Sequence, residues 1–272
     1  MYILTGCFLN IWLLVTILYE FRAFMLRYYR MFFETVILQL INKWKEDVMP
    51  KKKVIAMLIV LILALTAVCF AYRFRYYFIG TSSDPVEAKE NSDFNIQDIQ
   101  SSVDMDRDGI DDQTDILQGA REYIAGNPVY KSKYYQTGYP DDQYGVCTDV
   151  VANAMRSAGY DLMQLVNEDI LKAPQAYGID EPDINIDFRR VKNLKVYFER
   201  NAVRLTTDIR EIDEWQGGDI VIFENHIGIV SDKRNDEGIS YVIHHNDPFQ
   251  ASYEEDILEK RDDIVGHYRV SE

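Results

Sequence analysis

From Val54 to Tyr72 the chain carries no charged residue and no amphipathic period. A helix that is apolar all round has no polar face to offer water, so it must be buried whole or placed in lipid. About 20 apolar residues cross a bilayer, and this run is expected to be a membrane-spanning helix. Lys51, Lys52 and Lys53 precede it, and Arg73 and Arg75 follow. No small-residue cleavage site closes the run, which favours an uncleaved anchor. The basic cluster before it puts the N-terminal side in the cytoplasm and the C-terminal side outside. A weaker candidate span covers 2–19. If it also crosses, Arg22 through Lys53 form a basic cytoplasmic loop. If translation instead starts at Met49, Met49-Pro50-Lys51-Lys52-Lys53 opens a complete signal anchor. Both readings export the rest of the chain. The expected organisation is a membrane anchor over 1–79, a polar linker over 80–103, a calcium-binding loop over 104–115 and one globular domain over 116–272.

The 272 residues carry a formal net charge of −15, with the acidic excess after Gly80, so nucleic acid is not expected as a partner. Of the three cysteines, Cys7 and Cys69 lie in apolar N-terminal segments. Only Cys147 belongs to the acidic domain, which excludes a disulfide scaffold there.

Within that domain, helical spacing of apolar residues covers Asp115 to Ala125, the stretch from Cys147 to a stop at Gly159, Asp161 to Leu171, and Val191 to Arg200. Residues 173–190 are acidic and contain prolines. After Gly217 the pattern changes to strands: Ile220–Phe223, Ile227–Val230, Tyr241–His245 and Gly266–Val270. Helices first and antiparallel strands after is an α+β pattern.

Cys147 falls in the first turn of its helix, behind the turn-rich approach Gly138 to Gln143. The unpaired N–H groups and partial positive charge of a helix N-terminus stabilise a thiolate, the reactive form of cysteine. A buried small residue would suit the position equally well; His226 adds weight to the nucleophile. It opens the strand His226-Ile227-Gly228-Ile229-Val230, and Gly228 leaves room there for another element to approach. Tyr241-Val242-Ile243-His244-His245-Asn246 supplies a third polar position on a further strand. A thiol on a helix, a base on a strand and an orienting group on the next strand form a thiol-nucleophile constellation. The backbone N–H of Cys147 is the natural oxyanion donor, with Gln143 and Tyr144 as candidates for a second. His267, in the last strand, is expected to be structural.

Asp104-Met105-Asp106-Arg107-Asp108-Gly109-Ile110-Asp111-Asp112-Gln113-Thr114-Asp115 follows the spacing of an EF-hand-type calcium loop. The expected ligands are Asp104, Asp106, Asp108, the Ile110 carbonyl, Asp112 and Asp115, with Gly109 at the sharp turn. Asp115 stands where Glu is usual, and its shorter arm offers a weaker grip. Calcium is expected to be structural.

Several stretches together resemble a bacterial family, domain of unknown function 1287, which is similar in turn to the NlpC-type branch of papain-like cysteine peptidases. They are Asp115 to Arg121, Gly145 to Val151, Asp187 to Val191 with Asn193-Leu194, Gly218 to Val221, His226 to Val230, and Gly266 to Arg269. The resemblance implies a papain-like domain with its N-terminal helices packed on an antiparallel sheet. It also implies a thiol amidase or peptidase with Cys147 as nucleophile, His226 as base and His244 as the orienting residue. Phe188 stands where the family usually has His, and Lys192 where it has Pro. His245-Asn246-Asp247-Pro248 replaces a usual Asn and glycines, so His245 and Asn246 stand as alternatives to His244. An external domain on a bacterial membrane faces the cell wall, which makes peptidoglycan peptides the expected substrate. The alternative is a calcium-binding, catalytically inactive module on the same fold.

Overall fold

The computed structural model describes residues 51–73, 88–250 and 252–271. The chain divides into two compact units, 1–71 and 72–272. The first contains most of α1, Lys51–Arg73, a helix of 23 residues. Its described apolar side chains, among them Ile55, Leu61 and Val68, are all exposed. Among the described residues no helix is long and apolar enough to cross a membrane. The candidate span over 2–19, the Met49 start and residues 80–87 of the expected linker lie outside the described residues.

The later part of the expected linker belongs to the fold. Lys89 and Arg234 exchange backbone hydrogen bonds of 2.9 Å each. Asn91 is buried, and its Oδ1 accepts from the buried Arg234 guanidinium. Arg234 also donates to the carbonyls of Ile212, Gly238 and Trp215. This docking uses polar groups that satisfy one another, so apolar periodicity does not reveal it.

α2 runs over Asp112–Ala125 and begins earlier than its apolar face suggests, because Asp111 is its N-cap and accepts from the Thr114 amide. α3, Cys147–Ser157, buries Val150, Val151, Ala154 and Met155 completely or almost so. Gly159 ends it with φ +81°, a conformation that favours glycine. α4, Leu162–Lys172, is capped by Asp161. The segment 173–190 contains two short helical turns, α5 at Pro174–Tyr177 and α6 at Ile184–Asp187. α7 covers Val191–Asn201.

Two short strands, β1 (Val129–Tyr130) and β2 (Tyr144–Gly145), pair in parallel just before α3. The main sheet is antiparallel with six strands in the order β3-β8-β4-β5-β6-β7. They are β3 Val203–Arg204, β4 Ile220–Phe223, β5 Ile227–Arg234, β6 Ser240–Ile243, β7 Glu254–Glu255 and β8 Ile264–Arg269. β3 and β7 were not expected; each has only two residues, too few to carry a period.

Alternation along β4 sorts the core into two layers. Ile220 and Ile222 join the helix-side cluster with Val151, Leu194, Ile227 and Ile229. Val221 and Phe223 join Trp215, Val230, Val242 and Leu258 on the other side. The sheet is therefore covered on both faces, and the helix carrying Cys147 is packed against β5. The α+β expectation, with helices on an antiparallel sheet, holds.

Candidate active site

The start of α3 is fixed from below by Asp149. Its Oδ2 accepts from the Val146 amide at 2.8 Å, satisfying a donor that the helix leaves open. The same carboxylate receives two bonds from Arg189, at 2.6 and 2.8 Å, with both side chains almost wholly buried. Arg189 also donates to the Lys133 carbonyl at 2.7 Å. This pair joins two stretches distant in the sequence, around Cys147 and around Arg189: the second anchors the first.

Cys147 is half-buried at the first position of α3. Backbone N–H groups of Ile227, Thr148 and Cys147 itself act on its sulfur. The thiol therefore sits at the helix entrance and beside the residue that follows His226. Burial nevertheless pushes its pKa up to about 12, and the nearby Asp149 carboxylate adds to the rise. Burial thus opposes the helix N-terminus at this sulfur, and desolvation is the larger of the two effects. His226 shifts the other way. Burial, then the neighbouring His244, Arg261 and His245, hold its pKa well below the ordinary imidazole range.

His226 lies immediately before β5, and its Nε2 is 3.0 Å from Nδ1 of His244, just past the end of β6. Both rings are buried. His244 Nε2 is in turn 3.2 Å from Glu255 Oε2 on β7. Gln250 Nε2 donates to the same Glu255 oxygen and to the His244 carbonyl, each at 3.2 Å. Among the expected alternatives, the His226 contact goes to His244. His245 instead packs edge-on against Tyr130 and Tyr253, and Asn246 donates to Asp247. Gln143 is exposed and Tyr144 half-buried in β2. Glu255 was missed. It sits in a two-residue strand whose register with β6 pairs it with Val242, and nothing local announces that pairing.

His267 has a different environment. Its Nε2 meets Asp219 at 3.1 Å, its Nδ1 the Thr206 carbonyl at 2.7 Å, and Trp215 stacks on the ring at 3.8 Å. Arg269 adds two 2.8 Å bonds to Asp219. This buried cluster ties β8 to the turn before β4, the structural role expected of His267.

In the acidic loop, carboxylate oxygens of Asp104, Asp106 and Asp108 come within 4.8 Å of one another. Their oxygens also accept backbone bonds from Asp108, Gly109 and Ile110. Asp115 is 6% exposed, and its Oδ2 is buried with no hydrogen-bond partner. Asp112 is turned to other work: it accepts from the Met105 amide at 2.8 Å and from the Tyr160 hydroxyl. The structure does not bring it into the group, although its spacing matched. Ile110 is partly exposed beside the loop.

Residues 117–270 match the family described as Domain of unknown function (DUF1287). The chain is also 39% identical over 167 residues to the Uncharacterized protein YijF of Escherichia coli (strain K12), covering 57% of this chain and 80% of that one. No solved structure matches the chain.

Proposed function

The chain belongs to the DUF1287 family, and from that premise we propose that its globular domain is a thiol amidase or peptidase with a papain-like arrangement of its site. The observation that carries this reading is the 3.0 Å contact between His226 and His244, backed by Glu255, beside a thiol at a helix N-terminus. Cys147 is the nucleophile and His226 the base. His244 is the orienting residue, and Glu255 fixes His244 in turn. With the thiol neutral at rest, His226 takes the Cys147 proton as sulfur attacks the carbonyl carbon. The developing oxyanion is met by the Cys147 N–H. Collapse breaks the C–N bond, and the proton held by His226 leaves with the amine. Water then resolves the thioester, or an amine does so in acyl transfer.

We read the domain as external to the cytoplasm and anchored through the apolar run 54–72, with Lys51 to Lys53 on the cytoplasmic side. Peptide bonds of peptidoglycan are then the substrate class within reach. This assignment rests on location and family resemblance. A reporter fused after Glu272 that is active only in the cytoplasm would overturn it.

A second reading has its own supporting observation. Burial raises the Cys147 thiol and lowers the His226 imidazole, both of which disfavour a thiolate–imidazolium pair, as in a module that kept the fold without turnover. The two readings separate by experiment. Full-length protein is incubated with peptidoglycan peptides, and the acyl-enzyme is trapped by acid quench. Cys147→Ser and His226→Ala are each expected to lower turnover by several orders of magnitude with the unfolding midpoint nearly unchanged. Near wild-type turnover in either variant would remove the thiol assignment. Absence of both turnover and thioester in the wild type would favour the inactive module.

A further inference from the structure

We propose that Asp104, Asp106, Asp108 and Asp115 hold one calcium-sized divalent cation, and that the bound ion clamps the start of α2 to the far end of the Cys147 helix. Three acidic side chains in a turn are not a site by themselves, since exposed carboxylates are at ease in water. Asp115 is the independent observation. It is 94% buried by its 6% exposure, and its Oδ2 has no hydrogen-bond donor. A buried carboxylate oxygen without a donor carries a desolvation cost that nothing in the chain offsets. Asp115 stands at the twelfth position of the same loop whose first, third and fifth positions are the grouped carboxylates of Asp104, Asp106 and Asp108, a group that itself needs neutralising. A hard cation bound by oxygen ligands meets both needs.

The same geometry revises the ligand set given by spacing. Asp112 is committed to Met105 and Tyr160, so the Ile110 carbonyl and water complete the shell. All four carboxylates lie before residue 117, where the family match begins, so membership of the family does not imply the site.

The clamp follows from what the loop touches. A Cβ added to Gly159 would lie 2.9 Å from Asp106 Cβ, so the loop lies against the turn that ends α3. Tyr160, one residue on, donates to Asp112 in the first turn of α2. Closing the loop around an ion therefore fixes α2 and the C-terminal end of α3 together. Cys147 is at the other end of that helix, too far along the chain for the ion to act on the sulfur directly.

The test uses the full chain titrated with calcium alone, read by calorimetry, by thermal unfolding and by amide hydrogen exchange. One equivalent is expected to bind, with a rise in the unfolding midpoint. Asp115→Asn, which keeps the shape and removes the charge, is expected to lower calcium affinity at least tenfold while leaving the calcium-free midpoint equal or higher. Asp106→Asn gives an independent loss of affinity should the first variant not fold. Slower exchange is expected at Met155 to Ser157 as well as in the loop. No uptake by the wild type, or wild-type affinity in Asp115→Asn, would overturn the site. Protection confined to 104–115 would overturn the clamp.

Discussion

His226 Nε2 lies 3.0 Å from His244 Nδ1, and His244 Nε2 lies 3.2 Å from Glu255 Oε2. One assignment of protons makes both contacts hydrogen bonds and leaves His226 a free lone pair. Glu255 can only accept, so His244 donates from Nε2 and accepts at Nδ1. His226 must then donate from Nε2, which leaves its Nδ1 lone pair as the base. Gln250 holds the carboxylate in place, and its own amide is oriented by the Asn246 N–H at 2.5 Å from Oε1.

The first prediction tests this tautomer chain. Glu255→Gln can present either an acceptor or a donor to His244, so His226 is no longer held in one form. The expected effect is a fall in kcat of about 10²- to 10⁴-fold, the range attributed to a positioned base, with KM little changed. Steady-state kinetics on the substrate that gives turnover decides it. An unchanged kcat would show that Glu255 serves only the fold.

The second prediction concerns pH. Because the imidazole of His226 is pushed well below its ordinary value of 6.5, the neutral base persists into acid. The acid limb of kcat/KM is expected to fall well below pH 6.5. Alkylation of Cys147 by iodoacetamide is expected to be slow at neutral pH and to climb throughout the alkaline range toward about 12. A plateau of fast alkylation beginning below pH 7 would establish a resident thiolate instead.

Stability carries its own pH signature. Burial, then His244, lowers the pKa of His245 from 6.5 to about 4. Above pH 6.5 both folded and unfolded chains leave this ring neutral, and it costs nothing. Between 6.5 and about 4 the unfolded chain takes up a proton that the folded domain refuses, so stability falls as pH drops through this window. His226 loses stability in the same direction. Denaturant midpoints measured across this window are expected to fall less steeply for His245→Gln than for wild type. Equal slopes would refute the assignment.

The third mutational test addresses the Asp149–Arg189 pair. Both side chains are buried, so removing one partner leaves an uncompensated charge, at roughly 3–5 kcal/mol. Arg189→Met is expected to cost that much in denaturant unfolding and to disturb Cys147 through the Val146 amide that Asp149 caps. A loss below about 1 kcal/mol, the scale of an exposed pair, would show that the pair does not anchor the helix.

These residues also mark how far the sequence could be read. Cys147, His226 and His244 were legible because each begins or ends an element with a clear apolar period, and periodicity places such positions. Glu255 and the docking of Asn91 on Arg234 were not legible. Both depend on pairings between distant segments of two to four residues that satisfy polar groups, and short polar segments carry no period. Asp112 carries contacts that its spacing did not announce. Its loop position matches a ligand, and in the first turn of α2 its oxygens accept from the Met105 amide and the Tyr160 hydroxyl. At Cys147 the sequence displays the helix N-terminus but not the burial that opposes it.

The last prediction concerns Gly228, which the sequence marked as leaving room on the strand of His226. The element that fills that room is β6. A Cβ on Gly228 would lie 2.5 Å from Val242 Cγ1, 2.9 Å from the Ile243 carbonyl oxygen and 3.2 Å from His244 Cβ. The Val242 methyl can turn away; the Ile243 carbonyl is backbone and can move only with its strand. Gly228→Ala should therefore push β6 from β5 next to the point where His244 meets His226. Overpacking of this kind costs typically 1–3 kcal/mol, which a domain of ordinary stability survives. A shift of even a few tenths of an ångström in a 3.0 Å contact weakens the hydrogen bond that selects the His226 tautomer. The expected signature is a folded protein with a loss in kcat larger than its loss in stability accounts for. Measurement of both in one variant separates the outcomes. If kcat falls only in proportion to the unfolded fraction, Gly228 is a packing residue and the spacing between the two strands does not govern the base.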